Sequence, residues 1–175
     1  MPGSLSHLIG RFFDVLRARP LIASERSAVS NWLDERERAT FFAQSNADQR
    51  HGFTAASVVI ASGVADRATI RAGLLHDVGK RHARLGVIGR VVASLLILCR
   101  IPLRGRLRAY RDHGVIAASE LELMGAEPLV VDFARYHHEH RPVTIDIDTW
   151  DLLQRADKAP KTRSRNHRGI SWPRT

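Results

Sequence analysis

The sequence predicts an all-α protein, and three observations support this fold class. Apolar residues recur at steps of three and four along almost the whole chain, which is the spacing of one helix face. Capping residues precede many of these periodic segments, and proline or glycine follows most of them. The alternation typical of a β-strand occurs only over residues 143–147, which is too short to predict a sheet. The eight predicted helices cover residues 5–16, 25–42, 46–63, 66–79, 85–98, 112–124, 128–138 and 148–159.

Start and stop signals place these helices in order. The first ends before Pro20, because proline cannot continue a helix. The third begins at Asn46, with Gln49 three residues later as in a capping box. The fourth has Asp66 as its predicted N-cap. A glycine ends the sixth helix, and Pro128 occupies the favourable first turn of the seventh.

The fifth predicted helix is almost wholly apolar. Its apolar run over residues 91–99 is nine residues long, which is too short to span a bilayer. A helix without a polar face is usually buried, so we expect this one to be a core helix that covers the functional site. The alternative is that this run and its flanking arginines are the contact surface of a peripheral membrane or nucleic-acid-binding protein. Cys99, at its end, is expected to pack as a small apolar residue.

Length and composition indicate one globular domain. The chain has 175 residues, of which 44% are hydrophobic and 26% charged, as in soluble proteins. A single cysteine excludes an internal disulfide framework, and Arg11 and Asp14 interrupt the only apolar segment near the start, so a cytoplasmic protein is expected. The expected organisation is N-terminal helices, a core domain and a basic C-terminal tail, over residues 1–45, 46–160 and 161–175.

The positive charge is concentrated in two segments. The net charge is +9, and six of the basic residues follow Asp157, the last acidic residue. A second stretch, residues 78–111, contains nine basic residues and no acidic one. These segments suit an anionic partner, which could be a phosphorylated small molecule, nucleic acid or an anionic membrane surface. A solvated surface is the alternative interpretation.

The pair His76-Asp77 stands at the end of an apolar helical segment. Burying a carboxylate there is costly unless a partner neutralises it. Adjacent side chains on a helix point about 100° apart, so His76 and Asp77 are not expected to form a simple hydrogen bond with each other. They can converge on one metal ion, which would offset the cost of burial.

Other potential ligands continue the apolar stripes of different helices. They are His51, His113, His137, His138 and Asp157. Each taken alone is more often a hydrogen-bonded core residue than a ligand. Five such positions together favour a shared metal. Nitrogen and carboxylate ligands without thiolate suit iron, manganese or another borderline divalent ion.

The ordered set His51, His76-Asp77 and Asp157 resembles the defining pattern of the HD superfamily of metal-dependent phosphohydrolases. The resemblance covers about residues 46–165 and assigns residues 46–160 to an HD domain, a helical bundle. It implies that these four residues hold one divalent ion.

The additional histidines are similar to the extended ligand set of two-metal HD proteins, which include HD-GYP cyclic dinucleotide phosphodiesterases and HD-type symmetrical diadenosine tetraphosphate hydrolases. The resemblance implies a second ion held by His113, His137 and His138, with Asp77 bridging both ions. Iron or manganese is expected first, and magnesium, cobalt, nickel or zinc are alternatives. Ala47 stands where some HD-GYP members have a glutamate for a third metal, so two ions are the implied maximum.

The resemblance implies hydrolysis of a phosphoester or phosphoanhydride of a nucleotide or dinucleotide by a metal-activated hydroxide. Asp77 and Lys80 are the expected catalytic residues, and Lys80 would also bind the phosphate, although it could simply be a helix C-terminal cation. Further candidates for phosphate binding are Arg141, Lys161 and Arg163, for which a solvent-facing role is the alternative.

The sequence departs from the family pattern at two places, after the double histidine and after Asp157. The Gly-Tyr-Pro loop of HD-GYP proteins is absent, and Glu139-His140-Arg141-Pro142 follows the double histidine. Lys158 stands where the family often has a second acidic residue. A catalytically degenerate HD domain that binds a nucleotide or metal as a regulatory module is therefore the alternative function, with an anionic surface as a further possible partner.

Overall fold

The computed structural model describes residues 19–159 and Trp172, and these residues form an all-α fold, as predicted. A 3₁₀ helix over Val78–Ala83 follows the fourth α-helix. No strand occurs among the described residues, so residues 143–147 belong to a loop. The predicted helix over residues 5–16 lies outside the described part of the chain. The α-helices are α1 (Ala23–Trp32), α2 (Glu35–Phe42), α3 (Asn46–Ala61), α4 (Arg67–Leu75), α5 (Val87–Leu98), α6 (Gly105–Arg111), α7 (His113–Leu123), α8 (Pro128–Tyr136) and α9 (Ile147–Asp157).

Helix α4 lies at the centre of the fold. It packs against α3 and α8, and also contacts α9, α1 and α2. Its side chains Ile70, Leu74 and Leu75 are fully buried. Each such side chain stabilises the fold by about 1.5–3 kcal/mol relative to its exposed state. Residues that directly follow α4 are therefore held in the interior.

The predicted single helix over residues 25–42 is wrong, because the chain breaks into α1 and α2. Leu33 is extended, and Asp34 caps α2 by accepting a hydrogen bond from the Glu37 amide at 2.9 Å. The Glu37 carboxylate accepts in return from the Asp34 amide at 3.2 Å. This reciprocal capping box stabilises a new helix start and outweighs the continuity of the apolar pattern.

The predicted capping box at Asn46 is also wrong, although helix α3 begins at that residue. Ser45 is the N-cap, and its hydroxyl oxygen accepts from the Asp48 amide at 3.3 Å. Gln49 instead donates to the carbonyl oxygens of Phe42 and Gln44, at 3.1 and 2.9 Å. Its amide therefore ties α3 to the end of α2.

Helix α4 ends at Leu75, four residues before the predicted end. Its N-cap is Asp66 as predicted, with the carboxylate accepting from the Thr69 amide at 2.8 Å. His76 is the C-cap, and Asp77 leaves the α conformation at φ −102° and ψ 3°. Asp77 therefore does not have the orientation that a continuing α-helix would impose.

Helix α5 is not the core helix that the apolar pattern predicted. Ala93 is its only buried residue, and Ile88 has 75% of its surface exposed. Cys99 is likewise exposed rather than packed. The reason is that one side of α5 packs against the rest of the described chain, whereas its other sides are exposed. Within the described residues, no helix is long and apolar enough to cross a membrane.

The described N-terminal helices pack on the remainder of the fold through buried ion pairs. Arg50 of α3 binds Glu25 of α1 at 2.6 Å, and Arg71 of α4 binds Glu37 of α2. In addition, the ring of Trp172 stacks on Phe53, with 5.0 Å between centroids. The domain boundaries at residues 45 and 160 stay predictions.

Candidate metal centre

Three helices bring the first group of predicted ligands together. His51 lies in the middle of α3, His76 and Asp77 follow α4, and Asp157 is the last residue of α9. The His51 Nε2 atom is 3.2 Å from His76 Nε2 and 2.9 Å from Asp157 Oδ1. Asp157 Oδ1 is also 3.2 Å from His76 Nε2. Asp77 Oδ2 lies 3.5 Å from both histidine Nε2 atoms.

The other oxygen of Asp77 faces the second group. His113 begins α7, and His137 and His138 directly follow α8. Asp77 Oδ1 lies 3.1 Å from His113 Nε2 and 3.5 Å from His137 Nε2. These two nitrogens are 3.3 Å apart, and one donor atom each from Asp77, His113, His137 and His138 lies within 4.8 Å of the others.

Backbone carbonyls orient three of the histidine rings. The Nδ1 atoms of His76, His113 and His137 lie 3.1, 2.7 and 2.9 Å from the carbonyl oxygens of the residues three positions earlier. A carbonyl can only accept, so Nδ1 carries the proton in each ring. In the neutral ring, Nε2 then presents its lone pair to the cluster.

Three lone-pair atoms therefore face one another in the second group. His113 Nε2 and His137 Nε2 are both acceptors in the neutral rings, and Asp77 Oδ1 is buried without a hydrogen-bond partner. Burying such a set is costly unless a proton or a cation lies among them. Atoms that bind one ion at about 2.0–2.2 Å lie about 3–3.5 Å apart, which is the spacing observed. These buried groups could hold a metal ion.

Asp77 is ionised in spite of its burial. Burial alone would raise its pKa, but the positive charges of Lys80 and His76 hold the pKa well below its usual range. Lys80 Nζ lies 2.5 Å from Asp77 Oδ2, and both side chains are almost fully buried. The carboxylate in turn raises the pKa of Lys80 against the effect of burial. Asp77 and Lys80 thus contribute one negative and one positive charge to the cluster.

The histidines differ in charge state according to their neighbours. Burial lowers the pKa of His51, and burial followed by the charge of Lys80 lowers that of His113. Desolvation at the edge of the cluster, with His137 and His113 beside it, lowers the pKa of His138 to about 2. For His76, the carboxylates of Asp77 and Asp157 outweigh burial and raise the pKa. Neutral imidazoles are the form that binds metals.

Sequence reasoning missed two contacts that support the cluster. Asp48 lies in α3, three residues before His51. Its carboxylate forms an ion pair at 2.6 Å with Arg90 of α5. Gln154, one turn before Asp157, donates to the carbonyl oxygen of His137 at 2.7 Å. The position of Gln154 in the turn before a potential ligand is the only signal the sequence offered. Nothing local connects residues 48 and 90.

The structure describes one of the three outer phosphate-binding candidates, Arg141. Arg141 is exposed, and its guanidinium donates to the carbonyl oxygen of Ile145 at 2.5 Å, within its own loop. Among the described residues, Arg141 has no hydrogen bond or ion pair with the cluster. Lys161 and Arg163 lie outside the described residues.

No protein-family model, curated protein or solved structure matches this chain. The structure itself combines a helical fold with a buried histidine and aspartate cluster that could bind metal. This combination is compatible with an HD-type site.

Proposed function

We propose that this chain is an HD-type metal-dependent phosphohydrolase that cleaves a phosphoester or phosphoanhydride of a nucleotide or dinucleotide. The observation that carries the proposal is the position of Asp77 between the two ligand groups. Its Oδ2 atom is 3.5 Å from the Nε2 atoms of His51 and His76, and its Oδ1 atom is 3.1 Å from His113 Nε2. One carboxylate can thus serve two ions, for which iron or manganese is the first choice.

When bound, a pair of divalent ions would supply Lewis-acid charge that activates water near neutral pH and neutralises phosphoryl oxygens. The residues of the chain contribute oriented ligand atoms and balancing negative charge. The carbonyl-anchored rings of His76, His113 and His137 keep Nε2 free of a proton in their neutral forms. The ionised Asp77 and Asp157 balance the positive charge. Because these ligand atoms are already oriented, they need little reorganisation during the reaction.

Lys80 supports phosphate chemistry at this position. Its ammonium group is held inside the protein by Asp77, and its pKa is raised, so it is charged at neutral pH. A compact charge beside the ligand groups can attract a phosphoryl oxygen and stabilise the negative charge of the transition state. We therefore propose Lys80 as the phosphate-binding and catalytic cation, with Asp77 as the bridging ligand.

The test combines metal analysis with turnover. Protein purified without a metal-chelating column is analysed for metals, then assayed with Mn²⁺ or Fe²⁺ on a generic phosphodiester and a panel of nucleotides and dinucleotides. Asp77→Asn keeps the shape of the side chain and an oxygen for Lys80, so the protein should fold. We expect it to lose metal and nearly all turnover.

Asp151→Asn is the matched control, because Asp151 is exposed on α9. This variant should keep the metal content and turnover of the original protein. A folded Asp77→Asn protein with unchanged turnover would contradict the proposal.

The Lys80–Asp77 ion pair also favours the second candidate function, a regulatory module that binds a nucleotide without hydrolysing it. The ammonium neutralises Asp77 at 2.5 Å and so reduces its need for a metal ion. In that case the purified protein would contain no stoichiometric metal. It would still bind a nucleotide in equilibrium dialysis, and none of the substrates in the panel would be consumed.

A further inference from the structure

The outward side of helix α5 is an uncharged aliphatic surface. Ile88, Val92 and Leu95 are 75%, 42% and 39% exposed, and with Cys99 they follow the spacing of one helix face. Arg90 is the only charged side chain in α5, and it pairs with Asp48 on α3. The apolar surface is therefore not interrupted by the one charge that the helix contains.

The apolar surface continues past the end of α5. Leu98 is 46% exposed and Ile101 is 47% exposed, on either side of Cys99 and Arg100. All the large side chains of this surface are aliphatic. Protein interfaces are instead enriched in aromatic side chains, and leucine and valine are rare among their energetically important residues. Helices at membrane surfaces also use aromatic residues, so it is the arginines beside this aliphatic surface that favour an anionic lipid surface.

Arginines without carboxylate partners stand at both ends of this helix. Arg84 precedes it, and Arg100 and Arg104 follow it; none of the three forms an ion pair within residues 19–159. Arg84 and Arg100 have left-handed backbones, with φ of 46° and 56°, which non-glycine residues rarely adopt. Both stand where a helix ends, Arg84 after the 3₁₀ helix and Arg100 after α5, and a left-handed residue is a common helix ending. The charge is thus concentrated beside the apolar face.

A basic cavity lies beside the segment that leads into α5. It has a volume of about 730 Å³ and is lined by Arg81, His82, Arg84 and Arg106, with Ala43. Arg106 donates to the carbonyl oxygens of Ala83 and Arg84, which holds its guanidinium in place. Arg81 and His82 share Glu120, so the cavity keeps a positive balance. Guanidinium groups fixed in this way suit a phosphate group.

We propose that α5 docks on the surface of a bilayer that contains anionic phospholipid. The aliphatic side chains enter the boundary between headgroups and acyl chains, and the helix lies in the plane of the membrane. The flanking arginines contact anionic headgroups, and the basic cavity accepts a lipid phosphate. This inference is independent of the proposed hydrolase activity, because none of the residues it uses belongs to the metal-binding cluster.

The experiment uses the single cysteine of the full chain as a reporter. Cys99 is labelled with an environment-sensitive fluorophore, and the protein is titrated with vesicles of phosphatidylcholine alone or with about 30% phosphatidylglycerol. We expect a blue-shifted, stronger emission with the anionic vesicles only. Binding should weaken at least about tenfold between roughly 0.05 and 0.5 M salt, because salt screens the arginines.

Two matched isoleucine variants test whether α5, rather than another basic segment such as the C-terminal tail, binds the vesicles. Ile88→Glu places a charge in the first turn of α5, where the helix dipole favours it, so folding should persist. Ile147→Glu makes the same change in the first turn of α9, where Ile147 is 60% exposed. By co-sedimentation, Ile88→Glu should bind anionic vesicles at least about tenfold more weakly, whereas Ile147→Glu should bind normally.

Three outcomes would overturn the proposal. The first is that the full chain does not bind anionic vesicles. The second is that Ile88→Glu binds as well as the original protein, which would assign vesicle binding to another basic segment. The third is that light scattering shows a dimer that Ile88→Glu converts to a monomer, while vesicle binding is unchanged. That result would make the α5 surface an interface between two copies of the chain.

Discussion

Gly79 lies directly against the carbonyl oxygen of His113. A Cβ atom added at residue 79 would be 2.1 Å from that oxygen and 2.9 Å from the amide nitrogen of Ala117. Only a residue without a side chain allows the 3₁₀ helix and α7 to approach so closely. This approach brings His113 within 3.1 Å of Asp77. The second ligand group therefore depends on a glycine that is not itself a ligand.

The first prediction is that Gly79→Ala destabilises the protein by at least about 1–3 kcal/mol, because the added methyl group meets backbone atoms of α7. In urea unfolding, the midpoint should fall clearly. Gly86→Ala is the control, since an added Cβ there meets nothing within 4 Å. If the two variants unfold alike, the close packing of Gly79 on α7 is wrong.

The second prediction concerns the number of ions. His113→Ala removes one Nε2 atom from the second group and leaves the first group intact. Elemental analysis should therefore show about one ion fewer per chain, with the first site still occupied. His82→Ala, which removes an exposed histidine paired with Glu120, should leave the metal content unchanged. Equal metal content in His113→Ala and the original protein would indicate a single-metal centre.

The third prediction separates charge from ligation at Lys80. Lys80→Met removes the ammonium group and keeps the length of the side chain, so the pKa of Asp77 should rise. Metal binding should persist, because Lys80 is not a ligand and no longer competes for Asp77 Oδ2. Turnover should fall about 10²–10³-fold, as for other losses of transition-state charge stabilisation.

Arg81→Met is the control for that variant, because Arg81 pairs with Glu120 rather than with Asp77. The measurements are metal content and turnover at saturating Mn²⁺. A Lys80→Met protein with full turnover would assign Lys80 a purely structural role.

The fourth prediction concerns acid stability. Burial alone would raise the pKa of Asp48, but the hydrogen bonds and charge of Arg90 outweigh it and lower the pKa from 3.8. A lowered folded-state pKa means that the ionised carboxylate stabilises the fold above about pH 3.8. This stabilisation is lost as the pH falls through the folded-state pKa. The pair therefore strengthens the protein at neutral pH and not in strong acid.

Arg90→Met removes the charged partner of the buried Asp48 carboxylate and leaves it the Ser45 hydroxyl as a side-chain donor. This loss should lower the free energy of unfolding by about 3–5 kcal/mol at pH 7. The difference from the original protein should shrink as the pH falls, starting above pH 3.8, because burial without Arg90 should raise the pKa of Asp48 and let the variant protonate this carboxylate first. Arg135→Met is the control, because Arg135 and Glu122 form an exposed pair at 3.5 Å. It should cost less than about 1 kcal/mol. A pH-independent loss in Arg90→Met would show that only apolar packing of Arg90 matters.

The sequence determined the features that depend on residues within one helical turn of each other. The cap at Asp66 and the proline in the first turn of α8 are local interactions, and both occur as the pattern predicts. The residue types of the cluster were also visible, because buried histidine and aspartate on apolar stripes need a partner. Where the local signal was misread, as at Asp34, the capping box was nevertheless present in the sequence.

Only the tertiary structure decided which residues that are distant in sequence contact one another. The turn that ends α4 at Leu75 aims the two oxygens of Asp77 at histidines 26 positions earlier and 36 later in the chain. The exposure of α5 was likewise invisible, because an apolar helix is equally consistent with a core and with a surface that contacts lipid. Such contacts depend on the packing of distant segments, and no property of neighbouring residues specifies that packing.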